Sequence, residues 1–171
     1  DLLSADWDKM MENPNEDIYV PATITYDGER LENVGIRIKG NSSRSSVIRD
    51  GGTRFSFKID TDLYVENQEL LGVDKLNFNN SFHDPSYLRE RITLRLFEAF
   101  GVVSPRHAYA KFSINGEYFG LYAVIEQVDK DFLKKHLKGQ RVRGEARAQA
   151  RVARNLLVFF WVFLVSLGAT S

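Results

Sequence analysis

Along most of the chain, apolar and polar residues alternate with the period of a β-strand. This alternation predicts half-buried strands in which every second side chain faces a core. The segments that show it are residues 19–26, 31–39, 54–60, 75–79, 108–114 and 118–128. Asp27-Gly28 separates the first two segments and Asn115-Gly116 separates the last two, and both dipeptides predict tight hairpin turns. Residues 40–52, which are rich in Ser, Arg and Gly, are interpreted as a long loop.

A helical pattern covers residues 85–100, with Asp84 as its N-cap, Pro85 at its first position and Gly101 at its end. Shorter helices are predicted at residues 4–11 and 129–137. Strands in sequence followed by one major helix and a hairpin predict an α+β fold with a mainly antiparallel sheet.

The long helix has apolar residues on two sides. Its main apolar stripe consists of Leu88, Ile92, Leu96 and Ala99. At 100° per residue, Glu90 lies on the other side, near Leu94 and Phe97. Two interpretations of Glu90 stay open: a buried carboxylate that needs a cation as partner, or an exposed side chain between surface arginines.

The segment Val34-Gly-Ile-Arg-Ile-Lys-Gly-Asn-Ser-Ser43 combines a strand with a polar loop. Arg37 and Lys39 project opposite to the apolar residues of that strand, and Arg54 and Lys58 do the same in a later strand. Cations beside a loop rich in hydroxyl and N–H donors are suited to phosphate oxygens. The alternative is a solvated sheet face followed by an ordinary turn.

Composition and charge narrow the function classes. A hydrophobic content of 43% supports a packed core, and the absence of cysteine excludes disulfides, thiolate metal sites and a cysteine nucleophile. Residues 1–138 carry a net charge of −4, which argues against a general nucleic-acid-binding protein. The three histidines lack metal-ligand spacing, and Asp60 and Asp62 are typical of a solvated turn. No phosphate-loop, dinucleotide or hydrolase motif occurs.

The last 33 residues differ from the rest. Residues 139–154 are rich in Arg and Ala, and residues 156–167 are apolar apart from Ser166. A membrane anchor is expected only if this apolar run is native, because a span needs about 20 residues. The alternative is a shifted reading frame or a truncated gene, in which case residues 139–171 are not native to the fold. The start at Asp1, without a methionine, predicts a cut or processed N-terminus.

Several stretches together resemble the CotH family of spore-coat protein kinases. They occur in the family's order, cover about residues 18–137, and comprise residues 19–23, 34–43, 56–60, 75–80, 88–90, 114–122 and 124–130. The resemblance implies an atypical protein-kinase-like fold in which residues 18–138 form the small, ATP-binding lobe and residues 1–17 lead into it. It also implies ATP with Mg or Mn as cofactor, and Ser or Thr of coat or cell-surface proteins as substrate.

The same resemblance assigns roles to particular residues. The helix at about 84–100 corresponds to the kinase helix whose glutamate pairs with the ATP-holding lysine, so Glu90 is the expected acid. Its cation is either Lys39 or Lys58. Glu126 is expected near the inter-lobe hinge and the adenine. The residues expected to cover the phosphates are Asn41, Ser42, Ser43 and Arg44, and Arg37 is a further expected cofactor-binding residue.

One departure from the family limits these expectations. The metal-binding aspartates belong to a large lobe, and that lobe is missing from the 33 residues after Lys138. We therefore expect little kinase activity from this chain alone, and no catalytic or metal-binding residue is assigned in it. The alternative function is a non-enzymatic adhesion or assembly module of the spore coat or bacterial surface. The expected location is the spore coat or the cell surface.

Overall fold

The computed structural model describes residues 1–136 of the 171-residue chain. The predicted tail and the end of the last predicted helix lie outside these residues. The described elements, in chain order, are α1 (Ser4–Glu12), β1 (Val20–Tyr26), β2 (Glu29–Lys39), α2 (Ser42–Arg49), β3 (Ser56–Asp60), β4 (Lys75–Asn79), α3 (Arg89–Ala99), β5 (His107–Ile114), β6 (Glu117–Glu126) and α4 (Lys130–His136). The predicted α+β class is confirmed.

All six strands form one curled antiparallel sheet in the order β1-β2-β3-β4-β6-β5. Both predicted hairpin turns are present. Asp27 and Gly28 have φ angles of 49° and 82°, and Asn115 and Gly116 have φ angles of 51° and 85°. Two successive residues with positive φ define the type I′ turn, whose twist matches that of the strands it joins.

The core lies on the apolar face of the sheet. Phe57, Ile38 and Tyr122 are completely buried there. Helix α1 covers this end of the face, because Met10 belongs to the core and the Trp7 ring lies 6.1 Å from the Phe57 ring, between centroids. Burial of large side chains of this kind is the main source of the free energy of folding.

The prediction of a long loop at residues 40–52 was wrong, because α2 occupies most of this segment. Val47 is buried in the core and anchors this short helix. Gly51, with a φ of 64°, then leads the chain out of the helix. A single apolar anchor among serines and arginines gives too weak a periodicity to predict a helix.

Helix α3 begins at Arg89, four residues later than predicted. Asp84 is therefore not the N-cap residue, although its carboxylate binds the turn that leads into the helix: one oxygen accepts a hydrogen bond from the Ser86 N–H at 3.2 Å, and the other accepts one from the Arg89 N–H at 2.9 Å. Tyr87 has a φ of 58°, which is incompatible with a helix. The side chain of Asp84 therefore holds a turn before the helix instead of starting the helix at Pro85.

The main apolar stripe of α3 is not its buried side. Leu88, Ile92 and Leu96 are 49%, 48% and 37% exposed. The side that carries Glu90 is half-buried instead. An amphipathic pattern with two apolar sides does not determine which side is covered.

The chain divides into two compact units, and the sheet lies wholly in the first, which consists of residues 1–92 and 105–127. The second contains residues 93–104 and the chain from 128 onward. In the second unit, α3 ends as predicted at Gly101, with φ 71°. The Val102 N–H donates to the Phe97 carbonyl at 2.9 Å and the Gly101 N–H donates to Glu98 at 3.0 Å, which is a Schellman motif.

Helix α4, also in the second unit, begins after Asp129 as predicted. One oxygen of the Asp129 carboxylate accepts hydrogen bonds from the N–H groups of Asp131 and Phe132, at 3.0 and 3.1 Å. This is the usual N-cap arrangement, which satisfies amides that have no partner within the helix. Among residues 1–136, none of the helices has the length and apolarity of a membrane span.

Candidate functional site

The polar face of the sheet gathers three of the four cations predicted from the sequence. The fourth, Arg54, lies before β3, and its guanidinium instead donates hydrogen bonds to the Tyr87 hydroxyl and the Leu121 carbonyl. Arg37 of β2 lies directly opposite Lys58 of β3, and Lys58 lies opposite Asn77 of β4. Lys39 follows Arg37 by two residues, so it shares the same face. Three positive charges therefore come from two adjacent strands.

Lys39 and Glu90 are connected through Asn79. The Lys39 ammonium donates to the Asn79 side-chain oxygen at 2.8 Å. The Asn79 amide nitrogen in turn donates to both carboxylate oxygens of Glu90, at 2.8 and 3.0 Å. All three side chains are half-buried, and β2, β4 and α3 each contribute one of them. The interpretation of Glu90 as a surface residue between arginines is thus replaced by a specific polar contact.

Burial shifts the pKa values of both ionisable groups toward their neutral forms. Desolvation raises the pKa of Glu90, while the Asn79 hydrogen bond and the Lys39 charge act in the opposite direction. Desolvation likewise lowers the pKa of Lys39, the Glu90 charge opposes this shift, and Arg37 and Lys58 reinforce it. Positive charge therefore outweighs negative charge around Lys39. A bound anion would stabilise the charged form of the Lys39 ammonium.

A second group of cations lies beside the first. One Asp17 carboxylate oxygen accepts hydrogen bonds from Arg37 at 2.7 Å and from Arg44 of α2 at 3.1 Å. Both arginine side chains are largely buried, whereas the Asp17 side chain is 66% exposed. The Arg44 Nε atom is buried and has no hydrogen-bond partner. Two guanidinium groups thus share one exposed carboxylate.

The remaining phosphate candidates lie at the start of α2. Asn41 is its N-cap residue, and its side chain makes no capping hydrogen bond. Ser42 and Ser43 occupy the first turn, where backbone N–H groups have no partner within the helix. Gly40, with φ 101°, makes the sharp bend between Lys39 and this turn.

Lys58 and Glu126 lie apart from the contact between Lys39 and Glu90. Lys58 is half-buried and makes no hydrogen bond or ion pair within residues 1–136. Glu126 lies opposite Leu76 in the register, which places it on the apolar face. It is 5% exposed, and its carboxylate accepts hydrogen bonds from the N–H and the guanidinium of Arg106, both at 3.2 Å.

Sequence reasoning missed two residues of this site, Asn79 and Asp17. Asn79 ends a strand in which Asn77 and Asn79 alternate with apolar residues, and that alternation was a usable signal for a polar side chain on the cationic face. Asp17 lies in an irregular segment without such a pattern, so no signal pointed to it.

The donors present fit a polyphosphate better than a metal ion. Arg37, Lys39, Arg44 and the first turn of α2 supply positive charge and N–H groups, which are the usual partners of phosphate oxygens. In the part of the chain that the structure describes, no group of three His, Cys, Asp or Glu residues is arranged to hold a metal ion. Asp60 is buried in the sheet, and Asp62 accepts a hydrogen bond from the Asn67 N–H within a turn.

Comparisons with known proteins identify the family of this chain. A family model described as CotH kinase protein matches residues 36–153. The chain is also 29% identical to the inner spore coat protein H of Bacillus subtilis (strain 168) over 120 residues. The aligned part is 70% of this chain and 30% of that protein, so the chain spans about a third of its relative's length. Because the family model covers more than half of the chain, the chain belongs to the CotH family.

Proposed function

We propose that this chain is the ATP-binding part of a CotH-family protein kinase and that Lys39 holds the phosphates. The observation that carries the proposal is the hydrogen-bonded connection from Lys39 through Asn79 to Glu90. Kinases use a lysine on a strand, oriented by a glutamate on a helix, to hold the phosphates of ATP. In this chain too the lysine, Lys39, lies on a strand and the glutamate, Glu90, lies on a helix. Asn79 lies between them.

Lys39 suits this role better than Lys58. Its ammonium is held at 2.8 Å by Asn79, and burial has already removed part of its solvation. A held and partly desolvated cation loses less side-chain entropy and less hydration when it binds an anion. Lys58 adds positive charge to the same face without a fixed position.

The other phosphate-binding groups follow from the same face. Arg37 and Arg44 would bind phosphate oxygens together with Ser43 and the N–H groups of residues 42–44, with Asn41 at the rim. Asp17 holds the two arginines in place before a nucleotide binds. Bound ATP would supply the phosphoryl group, and its divalent metal would need carboxylates beyond those of residues 1–136. Glu126 as an adenine contact stays a prediction.

The substrate and location are proposed from the relative. A protein similar to this chain is an inner spore coat protein, so we propose Ser or Thr of coat or surface proteins as acceptors and the spore coat as location. The chain alone should transfer phosphate poorly, because phosphoryl transfer depends on metal ions and an aspartate that position the reacting groups.

Thermal unfolding with and without Mg-ATP tests the nucleotide site. At 100 times the dissociation constant, ATP should add about 2.7 kcal/mol to the free energy of unfolding. Lys39→Ala should abolish most of this increment, and Lys58→Ala on the adjacent strand is the matched control that should retain most of it. Each variant is compared with its own nucleotide-free baseline, so loss of intrinsic stability is not counted.

A different outcome would assign the site differently. If the increment survives Lys39→Ala and disappears in Lys58→Ala, Lys58 is the phosphate-holding residue. If both variants keep it, the polar face is not where the phosphates bind.

A second candidate function is a non-enzymatic module for coat assembly or adhesion. It is favoured by the name of the relative and by the absence of a metal-holding carboxylate group within residues 1–136. A complete absence of ATP-dependent stabilisation in the unmodified chain would support this second function.

A further inference from the structure

The backbone around Asn79 is fixed on both sides. Phe78, the residue before it, belongs to the core, and its ring lies 5.0 Å from the Phe112 ring, between centroids. Asn80, the residue after it, is buried, and its side-chain oxygen accepts a hydrogen bond from the Ser56 hydroxyl at 3.0 Å. The Asn80 main-chain N–H donates to the same hydroxyl at 3.0 Å. The Asn79 side chain is therefore presented from a well-supported position at the end of β4.

The two partners of Asn79 fix the orientation of its side-chain amide. The oxygen of an asparagine amide accepts hydrogen bonds, and its nitrogen donates them. Here the oxygen accepts from the Lys39 ammonium, and the nitrogen donates to both carboxylate oxygens of Glu90. A flipped amide would point its N–H groups at the ammonium and its oxygen at the carboxylate, and both contacts would be repulsive. The cation and the anion thus select a single orientation of the amide.

The amide also separates the two charged groups. Lys39 and Glu90, both within residues 1–136, make no direct ion pair, because Asn79 lies between the ammonium and the carboxylate. The attraction between two charges falls with distance, so Glu90 compensates the Lys39 charge less across the amide than it would in direct contact. An ammonium has three N–H donors, of which Asn79 takes one.

We propose that Asn79 is the positioning residue of the phosphate site: its side-chain amide sets where the Lys39 ammonium lies and keeps Glu90 out of direct contact with it. This role presupposes the proposed nucleotide site, in which Lys39 holds the phosphates. Glu90 acts as the hydrogen-bond acceptor that orients the amide. An uncharged acceptor of the same shape should therefore serve in place of Glu90.

Binding of Mg-ATP to the full 171-residue chain, measured by isothermal titration calorimetry, tests this role. Leucine has a shape similar to that of asparagine and no hydrogen-bonding group, so Asn79→Leu should weaken binding about tenfold at every pH. Asn77→Leu is the matched control, because Asn77 lies on the same face of β4, opposite Lys58. It should change the affinity by no more than about twofold.

Asn79→Asp should bind Mg-ATP in a pH-dependent way. When both carboxylates are ionised, the new side chain repels Glu90 and cannot donate to it. When the two carboxylates share one proton, they carry the net charge of the original pair, and the new side chain both accepts from Lys39 and donates to Glu90. Relative to the unmodified chain at the same pH, the affinity should therefore rise about tenfold between about pH 8 and about pH 5.5.

The comparison of the two variants separates positioning from a change of charge. Charged or titratable groups near this pair also include Arg37, Lys58, Asp84 and His107. All of them are retained in the variants, so reference to the unmodified chain at each pH cancels their titration. A charge effect alone predicts that Asn79→Asp at low pH binds no better than Asn79→Leu. Positioning predicts that it binds about tenfold better.

Glu90→Gln tests whether the charge of Glu90 is needed. Glutamine keeps an oxygen that accepts from Asn79, so the affinity for Mg-ATP should fall by no more than about threefold. A loss of about tenfold or more would mean that the charge of Glu90, and not the amide of Asn79, positions Lys39. That result would overturn the proposal.

Two further results would overturn this role of Asn79 while leaving the nucleotide site in place. One is binding of Mg-ATP by Asn79→Leu within about twofold of the unmodified chain. The other is an affinity of Asn79→Asp at about pH 5.5 that remains about tenfold below that of the unmodified chain, a comparison that also decides if Asn79→Leu does not fold. Absence of Mg-ATP binding by the unmodified chain would instead overturn the proposed function, and this role with it.

Discussion

The two faces of the sheet differ in how their side chains are held, and adjacent residues of β3 show the difference. Phe57 is completely buried, and its ring contacts those of Trp7, Phe112 and Tyr122 at centroid distances of 6.1, 5.6 and 6.1 Å. Lys58, the next residue, lies opposite Arg37 on the polar face. One face buries apolar surface and stabilises the fold, whereas the other brings like charges together at a cost in stability. Such a cost is typical of a binding surface.

The largest expected effect on stability comes from replacing Phe57 and Lys58, one at a time, by alanine. Phe57→Ala should lower the free energy of unfolding by about 3–5 kcal/mol, because it removes buried surface and leaves a cavity. Lys58→Ala should change it by no more than about 0.5 kcal/mol. Urea unfolding followed by circular dichroism measures both. Similar losses in the two variants would contradict the division between the faces.

Tyr122→Phe should have an intermediate effect on stability. It tests the contribution of one hydrogen bond within the apolar face. The Tyr122 hydroxyl donates to the Phe55 carbonyl at 2.7 Å, and the side chain is completely buried. Removing the hydroxyl leaves a buried carbonyl without this donor, so we expect a loss of about 1–3 kcal/mol. The ring and its contacts remain. A neutral result in the same unfolding assay would show that the apolar face tolerates an unpaired polar group.

The smallest expected effect concerns the pH dependence of stability, and it belongs to the polar face. Because burial raises the pKa of Glu90, the folded state binds more protons than the unfolded chain above pH 4.5, the ordinary value of the group. Stability should therefore fall as pH rises from 4.5 toward the raised pKa.

Glu90→Gln should flatten this part of the profile. Lys39, whose pKa is lowered, acts in a higher window that ends at 10.5, where stability rises with pH, so the two contributions are separable. Unfolding measured in overlapping buffers tests the profile. An unchanged slope just above pH 4.5 in the variant would mean that Glu90 is not the group responsible.

The strands and their turns could be predicted because their signals are local. Asn115-Gly116 and Asp27-Gly28 adopt positive φ angles at little cost, so each fixes a hairpin between two alternating segments. The end of α3 at Gly101 was also readable, because it depends on one φ angle. Its start was predicted four residues too early, because the Asp84 carboxylate holds a turn before the helix.

The contacts that assemble the candidate site could not be predicted, because they join residues distant in sequence. Lys39 and Asn79 are 40 residues apart, and Asn79 and Glu90 are 11 apart, so no periodicity relates them. Which side of α3 is exposed could not be predicted for the same reason: the hydrogen bond from Asn79 on the sheet accompanies the half-burial of Glu90, and the helix sequence contains no signal for that contact.

The order of strands in the sheet also has a consequence for how the protein folds. Every pairing but one joins strands that are consecutive in the chain, and the exception is β4 with β6. The connection between β4 and β6 contains α3, the helix that carries Glu90. Since closing a longer loop costs more entropy, the hairpins should form first and the β4–β6 pairing late. Lys39, Asn79 and Glu90 lie on β2, β4 and α3, and their contacts do not need β6. We therefore expect these three residues to come together before the β4–β6 pairing completes the sheet, so that an anion could bind there while the sheet is still incomplete.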